Sequence, residues 1–223
     1  MKGKTAFCIL FFFLPSFVFS QEIMSAEAFF AALSTSFENV RDYEAAITIT
    51  QDTTVSRGKL CYKFPDYLRI DFDDPEGQVI VFDNEKLTVY FPQYNVVLEQ
   101  KYKKRAMSTL EGLASSQGLA ALQRDYSVGY LSGPSPVPLE EGSQELVVKL
   151  KLLPLTTTGY RQLVLSVTNS LIRRIEGIQV SGVKVTLDFE NVRTNQGVPT
   201  SRFEYSPPAD ANVISDWLFN PEK

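Results

Sequence analysis

The densest group of residues that could do chemistry in this 223-residue sequence is acidic: Asp71, Asp73, Asp74 and Glu76. Two carboxylates about 5 to 10 Å apart are enough for glycoside hydrolysis, and carboxylate oxygens are also ligands that calcium prefers. A catalytic general acid, however, needs a partly dry site. Because the four residues fall on the polar side of a predicted strand and in the turn after it, we expect them to be solvated. Their spacing also differs from that of a known calcium-binding loop.

Histidine is absent from the sequence. Its absence excludes serine–histidine and cysteine–histidine catalysis and the usual zinc sites. Neither a GxxxxGKS/T phosphate-binding loop nor a GxGxxG turn after a strand occurs. The sequence therefore predicts a protein that is not an enzyme and that uses no metal ion or cofactor.

The charge of the chain argues against nucleic acid as a partner. The formal net charge is −4, whereas binding to phosphates requires clustered lysine and arginine. The one basic run is too short to change this expectation, and it consists of Lys101, Lys103, Lys104 and Arg105.

The first 20 residues have the pattern of a secretory signal peptide. Lys2 and Lys4 precede an apolar run over residues 6–14, and Ser20 ends a suitable cleavage site. We expect residues 1–20 to be removed on export, which leaves residues 21–223 as one domain. Cys61 is then the one remaining cysteine, and an odd cysteine in an oxidising compartment is either shielded or paired with another molecule. We expect it to be shielded.

The elements that position these residues centre on the stretch from Gly58 to Pro92. Its short apolar runs are separated by turn residues, as in an antiparallel meander. Apolar and polar residues alternate, with Leu60, Tyr62, Phe64, Leu68, Ile70 and Phe72 opposing Lys59, Cys61, Lys63, Arg69, Asp71 and Asp73. This alternation predicts a curved sheet that is covered on one side only.

Helices and further strands surround this stretch. A first helix is predicted after an N-cap at Ser25, with an apolar stripe of Phe29, Phe30, Leu33 and Phe37. The stripe is either ordinary core or a lid over an apolar cavity, and periodicity does not separate the two. Two short helices with a bend are predicted within residues 107–123, and the proline-rich loop 133–138 is predicted to connect two strands of a hairpin. Further strands are predicted at 42–50, 96–102, 145–153, 161–168, 171–180, 183–189 and 202–205.

Several short motifs resemble the LolA family, the periplasmic carriers of outer-membrane lipoproteins. The first block reads Gly58-x-Leu60, Lys63-x-Pro65, Leu68-Arg69, Pro75, Val79-Ile80-Val81-x-Asp83 and Leu87-x-x-Tyr90-x-Pro92. A second block reads Asp188-Phe189-Glu190-Asn191-Val192-x-x-Asn195, Phe203-x-Tyr205-x-Pro207-Pro208 and Val213-Ile214. Each motif is weak alone, whereas their order and spacing together make a specific match over most of the chain.

The resemblance implies a mainly β fold, in which a single curved antiparallel sheet forms an incomplete β-barrel and helices plug an apolar cavity. It also implies a periplasmic monomer that takes acylated lipoproteins from an inner-membrane ABC transporter to an outer-membrane acceptor. The residues expected to form the cavity or lid are Phe29, Leu33, Phe37, Leu60, Tyr62, Leu68, Ile70, Phe72, Leu87, Val89, Leu163 and Leu165.

The resemblance further implies that Phe64 and Arg69 gate the lid. Family members often have an arginine before the proline that matches Pro65, and this chain has Phe64 there. Arg69 matches a second family arginine, or it is an ordinary strand arginine paired with Asp71 or Asp73. The alternative function is a periplasmic module of the same fold that binds another lipid or senses envelope stress through protein contacts.

Overall fold

The structure, a computed structural model, describes residues 24–101, 115–156 and 158–216. In these ranges the helices are α1 (Ala26–Glu38) and α2 (Ser116–Asp125), and neither is long and apolar enough to cross a membrane. The strands are β1 Asp42–Gln51, β2 Thr54–Lys63, β3 Tyr67–Asp74, β4 Val79–Asp83, β5 Lys86–Phe91, β6 Val96–Lys101, β7 Tyr126–Tyr130, β8 Val137–Pro138, β9 Leu146–Pro154, β10 Tyr160–Thr168, β11 Leu171–Gln179, β12 Lys184–Thr194 and β13 Asn212–Ser215.

Helix α1 begins where the sequence predicts. The Ser25 side chain accepts a hydrogen bond from the Ala28 amide at 3.2 Å, and Glu27 lies in the first turn, where the helix dipole favours a negative charge. The residues of the stripe that are fully buried are Phe30, Leu33 and Phe37. Of the two helices predicted within residues 107–123, α2 covers the second part. Residues 107–114 and the predicted signal peptide lie outside the described residues.

The strands form one sheet, with hydrogen-bonded neighbours in the order β13-β6-β5-β4-β3-β2-β1-β12-β11-β10-β9-β7. Strands β1 to β6 form the predicted meander, and the pairing of β1 with β12 joins it to the second half. Strand β7 pairs with β9, so the loop 133–138 connects two hairpin strands as predicted. In the described part of the chain the edge strands β7 and β13 do not pair with each other. The sheet is therefore curved and unclosed, which confirms the incomplete barrel.

Strand β13 departs from the predicted antiparallel arrangement. It pairs in parallel with β6, with Asn212 opposite Val96 and Ser215 opposite Glu99. The chain crosses the outer side of the sheet before it reaches β13, and for this reason it runs along the β6 edge in the same direction as β6. The Val213-Ile214 pair of the second motif block lies in this strand, about half exposed.

The outer side of the sheet is the side opposite α1 and α2, and the prediction that it is uncovered is wrong. Cys61, Val79 and Val81 form a second buried cluster there with Val198 and Phe203. The last two belong to residues 196–211, which we call the C-terminal strap because they cross the outer side between β12 and β13. Cys61 is 4% exposed, so the expected shielding of the thiol is confirmed.

Part of the C-terminal strap was expected to be a strand at 202–205, and this prediction is wrong. A 3-10 helix spans Thr200–Phe203, and the Phe203 ring packs on Tyr67 with 5.3 Å between the ring centroids. Prolines 207 and 208 follow, and proline has no N–H group for a strand ladder. Burial of the Phe203 ring, and not strand pairing, therefore determines the conformation of this segment.

Candidate functional site

The inner side of the sheet, which faces α1 and α2, carries a continuous apolar row across five neighbouring strands. The strand register places Leu60, Ile70, Ile80, Val89 and Leu98 side by side on β2 to β6. Leu60 and Ile70 are at most 1% exposed, whereas Ile80, Val89 and Leu98 are partly exposed. The side chains of this apolar row therefore become more exposed from the centre of the sheet toward β6.

A second row runs parallel to the first. It places Tyr62, Leu68, Phe82, Leu87 and Gln100 side by side on the same strands. The first three are buried and Leu87 is partly exposed. The row ends on the buried amide of Gln100, whose Nε2 donates to the Lys101 carbonyl oxygen at 3.1 Å. The apolar surface of this row therefore ends at β6 on a polar group.

The two helices cover the central part of this surface by apolar packing. The large buried side chains of the helices are Phe30, Leu33 and Phe37 of α1 and Leu119 and Leu122 of α2. From the other half of the sheet, Leu163 and Leu165 enter the same cluster without measurable exposure. In the described residues the centre of the inner side is therefore packed with side chains.

Hydrogen bonds hold α1 to the sheet near its two ends. At its start, the Tyr130 hydroxyl donates to the Met24 and Ser25 carbonyl oxygens at 3.0 and 3.3 Å. At its end, the Ser36 hydroxyl donates to the Leu33 carbonyl oxygen of the helix at 2.7 Å, with a longer contact of 3.3 Å to the Ser170 carbonyl oxygen of the sheet. Between these contacts the helix is held by apolar packing, which has no directional requirement. Such a helix can shift against the sheet without breaking a buried polar network.

The structure distributes the predicted cavity residues over three regions. Leu60, Tyr62, Leu68, Ile70, Phe72, Leu163 and Leu165 are buried beneath the helices, together with Leu33 and Phe37. Leu87 and Val89 lie on the less covered part near β6. Phe29 and Leu33 line an open groove of about 570 Å³ between α1 and the strands β9 and β10. The sequence alone could not assign residues to these regions, because burial of the sheet depends on where the helices lie.

Phe64 follows the last residue of β2 and is 38% exposed. Its amide donates to the Arg41 carbonyl oxygen at 2.7 Å, and the Arg41 guanidinium carbon lies 5.2 Å from the centre of the Phe64 ring. A guanidinium over an aromatic face is an attractive cation–π contact. An arginine is thus present beside the position where family members often carry one, but it comes from the chain before β1. The sequence reasoning missed Arg41, which belongs to no motif.

Arg69 lies on the outer side of the sheet, away from both helices. It donates to the Asp71 carboxylate at 2.8 to 3.0 Å and to the carbonyl oxygens of Arg202 and Glu204 at 3.1 and 3.2 Å. Its guanidinium carbon also lies 5.7 Å from the centre of the Tyr205 ring. These contacts hold the C-terminal strap, and they include the pairing with Asp71 that the sequence left open.

The acidic group is solvated and partly paired. Asp71 accepts hydrogen bonds from Arg69 and from Arg202, and Asp74 lies 3.7 Å from Arg57 with most of its side chain exposed. Asp73 and Glu76 are not buried either. A group in this environment lacks the dry surroundings that a catalytic general acid needs.

Tyr43 is a second residue to which the sequence assigned no function. It is 3% exposed on β1, and its ring centroid lies 5.2 Å from that of Tyr62. Among the described residues, its hydroxyl has no hydrogen-bond partner. Burial raises the pKa of the hydroxyl far above its ordinary value, so Tyr43 stays neutral. No signal in the sequence shows that a buried hydroxyl is unpaired.

Comparison with known proteins identifies proteins that are similar to this chain. Residues 46–206 match the family model described as outer membrane lipoprotein carrier protein LolA. An outer-membrane lipoprotein carrier protein of Pseudomonas putida (strain W619) is 27% identical over 174 residues, which cover 78% of this chain and 75% of the relative. One of Leptothrix cholodnii is 27% identical over 160 residues, which cover 71% and 69%.

Solved structures share the fold at low sequence identity. An uncharacterized conserved protein from Thermus thermophilus superposes with a TM-score of 0.53 at 12% identity, covering 83% of this chain and 96% of that protein. A chain of the Pseudomonas aeruginosa MucA/MucB complex superposes with a TM-score of 0.51 at 12% identity, covering 85% of this chain and 63% of that chain. These structures support the same architecture and carry no argument about ligands.

Proposed function

This chain belongs to the LolA family, and we propose from that premise that it is a periplasmic carrier for the acyl chains of lipoproteins. In this proposal residues 21–223 act as one monomeric domain after removal of the signal peptide. The chain receives acylated lipoproteins from an ABC transporter of the inner membrane and passes them to an acceptor at the outer membrane. It performs no catalytic step.

The observation that carries this proposal is the apolar inner side, which extends past the helices to partly exposed residues on β4 to β6. An acyl chain that leaves water for such a surface gains about 0.8 kcal/mol for each buried CH₂ group. Area alone therefore gives useful affinity, and no charged or catalytic group is needed at the site. Leu87 and Val89 are the predicted cavity residues that an acyl chain reaches first.

Binding of a whole chain requires the helices to move, since side chains fill the centre of the inner side. Helix α1 is suited to this, because its hydrogen bonds to the described part of the sheet lie near its ends. Displacement of α1 exchanges its contacts with the sheet for contacts of the acyl chain with the sheet. The two states then differ little in buried apolar area, which permits both loading and release.

Two matched substitutions test the proposal. Val89→Glu places a charge on the partly exposed inner surface. Val180→Glu places the same charge in the turn between β11 and β12, where Val180 is 51% exposed. Burial of an unpaired carboxylate against an acyl chain is costly. We expect Val89→Glu to weaken binding of a triacylated lipoprotein at least about tenfold, and Val180→Glu to leave it unchanged.

The dissociation constants are measured by fluorescence titration, with thermal unfolding to verify that both variants fold. Equal affinities of the two folded variants would contradict a binding site on this surface.

The alternative function, a non-carrier module of the same fold, is favoured by one observation. The centre of the inner side is packed in the described residues, as in a permanent core. In that case the titration detects no binding of the lipoprotein, and a second titration with free lipid shows whether the module binds another lipid or none. Contacts with other proteins would then carry the function.

A further inference from the structure

We propose that the Tyr43 hydroxyl donates a hydrogen bond to a carbonyl oxygen of the bound acyl ester, so that the inner side recognises the ester linkage as well as the hydrocarbon. This inference rests on the proposed function, because it names a polar contact within the same acyl-binding surface.

The unpaired state of the hydroxyl is the first observation. Tyr43 belongs to the apolar cluster beneath the helices, and no described residue accepts or donates a hydrogen bond at its oxygen. Buried polar groups are almost always paired, because an unpaired one loses its hydration without compensation. A ligand with a hydrogen-bond acceptor would provide the missing partner.

The neighbouring tyrosine shows the contrast. The Tyr62 ring packs on the Tyr43 ring, but the Tyr62 hydroxyl is bonded to the Pro65 carbonyl oxygen and to Gln117 Oε1, both at 3.2 Å. Of the two tyrosine hydroxyls, that of Tyr43 is therefore the one that has no hydrogen-bond partner among the described residues. Because burial raises the pKa of the Tyr43 hydroxyl, it remains a donor near neutral pH.

The surroundings of Tyr43 fit an acyl ester. Tyr43 lines a void of about 10 Å³ together with Phe37, Ile172, Phe189 and Val192, which is close to the room that one water-sized group needs. Phe37 lies at the end of α1, so displacement of the helix enlarges the void. An ester carbonyl accepts hydrogen bonds and donates none, and it is attached directly to the hydrocarbon. It can therefore reach a single donor within an otherwise apolar site.

The test compares Tyr43→Phe, which removes the oxygen alone, with Tyr90→Phe as the matched control. The Tyr90 hydroxyl donates to Asn95 Oδ1 at 3.3 Å, and its ring packs on Tyr205 of the C-terminal strap, away from the helices. Three probes are titrated: a lipopeptide with two ester-linked chains, its ether-linked counterpart, and ester-linked phosphatidylglycerol without a peptide. We expect Tyr43→Phe to weaken binding of the ester-linked lipopeptide about three- to tenfold and to leave the ether-linked one unchanged. Tyr90→Phe should keep the wild-type ratio of the two affinities.

Loss of affinity for the lipopeptide ester alone assigns the contact to a lipoprotein, and loss for phosphatidylglycerol as well assigns it to acyl esters in general. Equal binding of the ester by wild type and Tyr43→Phe, or an equal loss for the ether, overturns the inference and leaves the carrier function standing. If the wild type binds none of the three probes, the proposed function itself fails and the inference fails with it.

Discussion

Arg69 and Gly58 show what single residues of the first motif block do in this chain. Arg69 bonds the backbone of the C-terminal strap, so its contacts are structural ones on the outer side. Gly58 lies where β2 and β3 shift register, and a Cβ atom there would collide with the Asp71 carbonyl oxygen. The motif identified both positions, but the contacts that explain them involve residues on other elements. Side-chain roles could therefore be predicted less well than strand positions.

Cys61 carries a prediction about pH. Burial raises the pKa of its thiol to about 11, from an ordinary value of 9.0. Between these values the unfolded chain loses the thiol proton while the folded chain keeps it, so the free energy of unfolding falls as the pH rises. Below about pH 9 this contribution to stability is fully present. Between about pH 9 and 11, we expect the free energy of unfolding of Cys61→Ala to fall less steeply with rising pH than that of wild type.

Urea denaturation at a series of pH values measures this difference, with the interval from about pH 7 to 8 as the internal control, where the two curves should run parallel. Curves that stay parallel up to about pH 11 would show that the thiol does not titrate as described.

Among the elements, the C-terminal strap was predicted least well. Its anchor is the buried Asp42 carboxylate, which accepts hydrogen bonds from the backbone amides of Gln196, Gly197 and Val198 at 2.6 to 3.3 Å. These contacts join residues more than 150 positions apart, and no local pattern encodes them. Helix α1 and strands β1 to β6 were predicted correctly because capping residues, alternation and turns are local signals.

The strap should protect the thiol beneath it. Phe203 is 1% exposed and packs in the same outer cluster as Cys61. Phe203→Ala should lower the free energy of unfolding by about 3 to 5 kcal/mol, the usual cost of removing a buried phenylalanine side chain. It should also make Cys61 accessible to iodoacetamide in the folded protein.

The matched control is Tyr94→Ala, which truncates an aromatic residue that is 71% exposed. Alkylation is followed by mass spectrometry under native conditions and in urea. If the thiol of folded Phe203→Ala reacted as slowly as that of wild type, the strap would not be its cover.

At the scale of the whole molecule, the main feature is that the apolar inner side of the sheet is larger than the area that the helices bury. Its inner side is apolar from β2 to β6, and two helices bury its centre but leave the β6 side partly exposed. The curved sheet could be predicted from strand alternation, and the incomplete barrel from the family motifs. The extent of the cover could not, since it depends on how helices distant in sequence pack.

The most direct measurement is native mass spectrometry of the mature protein mixed with a triacylated lipoprotein, and separately with the same lipoprotein lacking its acyl chains. The carrier function predicts a one-to-one complex with the acylated form and none with the other, because apolar burial supplies the affinity. Complexes with both forms would mean recognition through protein contacts. Absence of any complex with the acylated form would mean that the inner side is a permanent core.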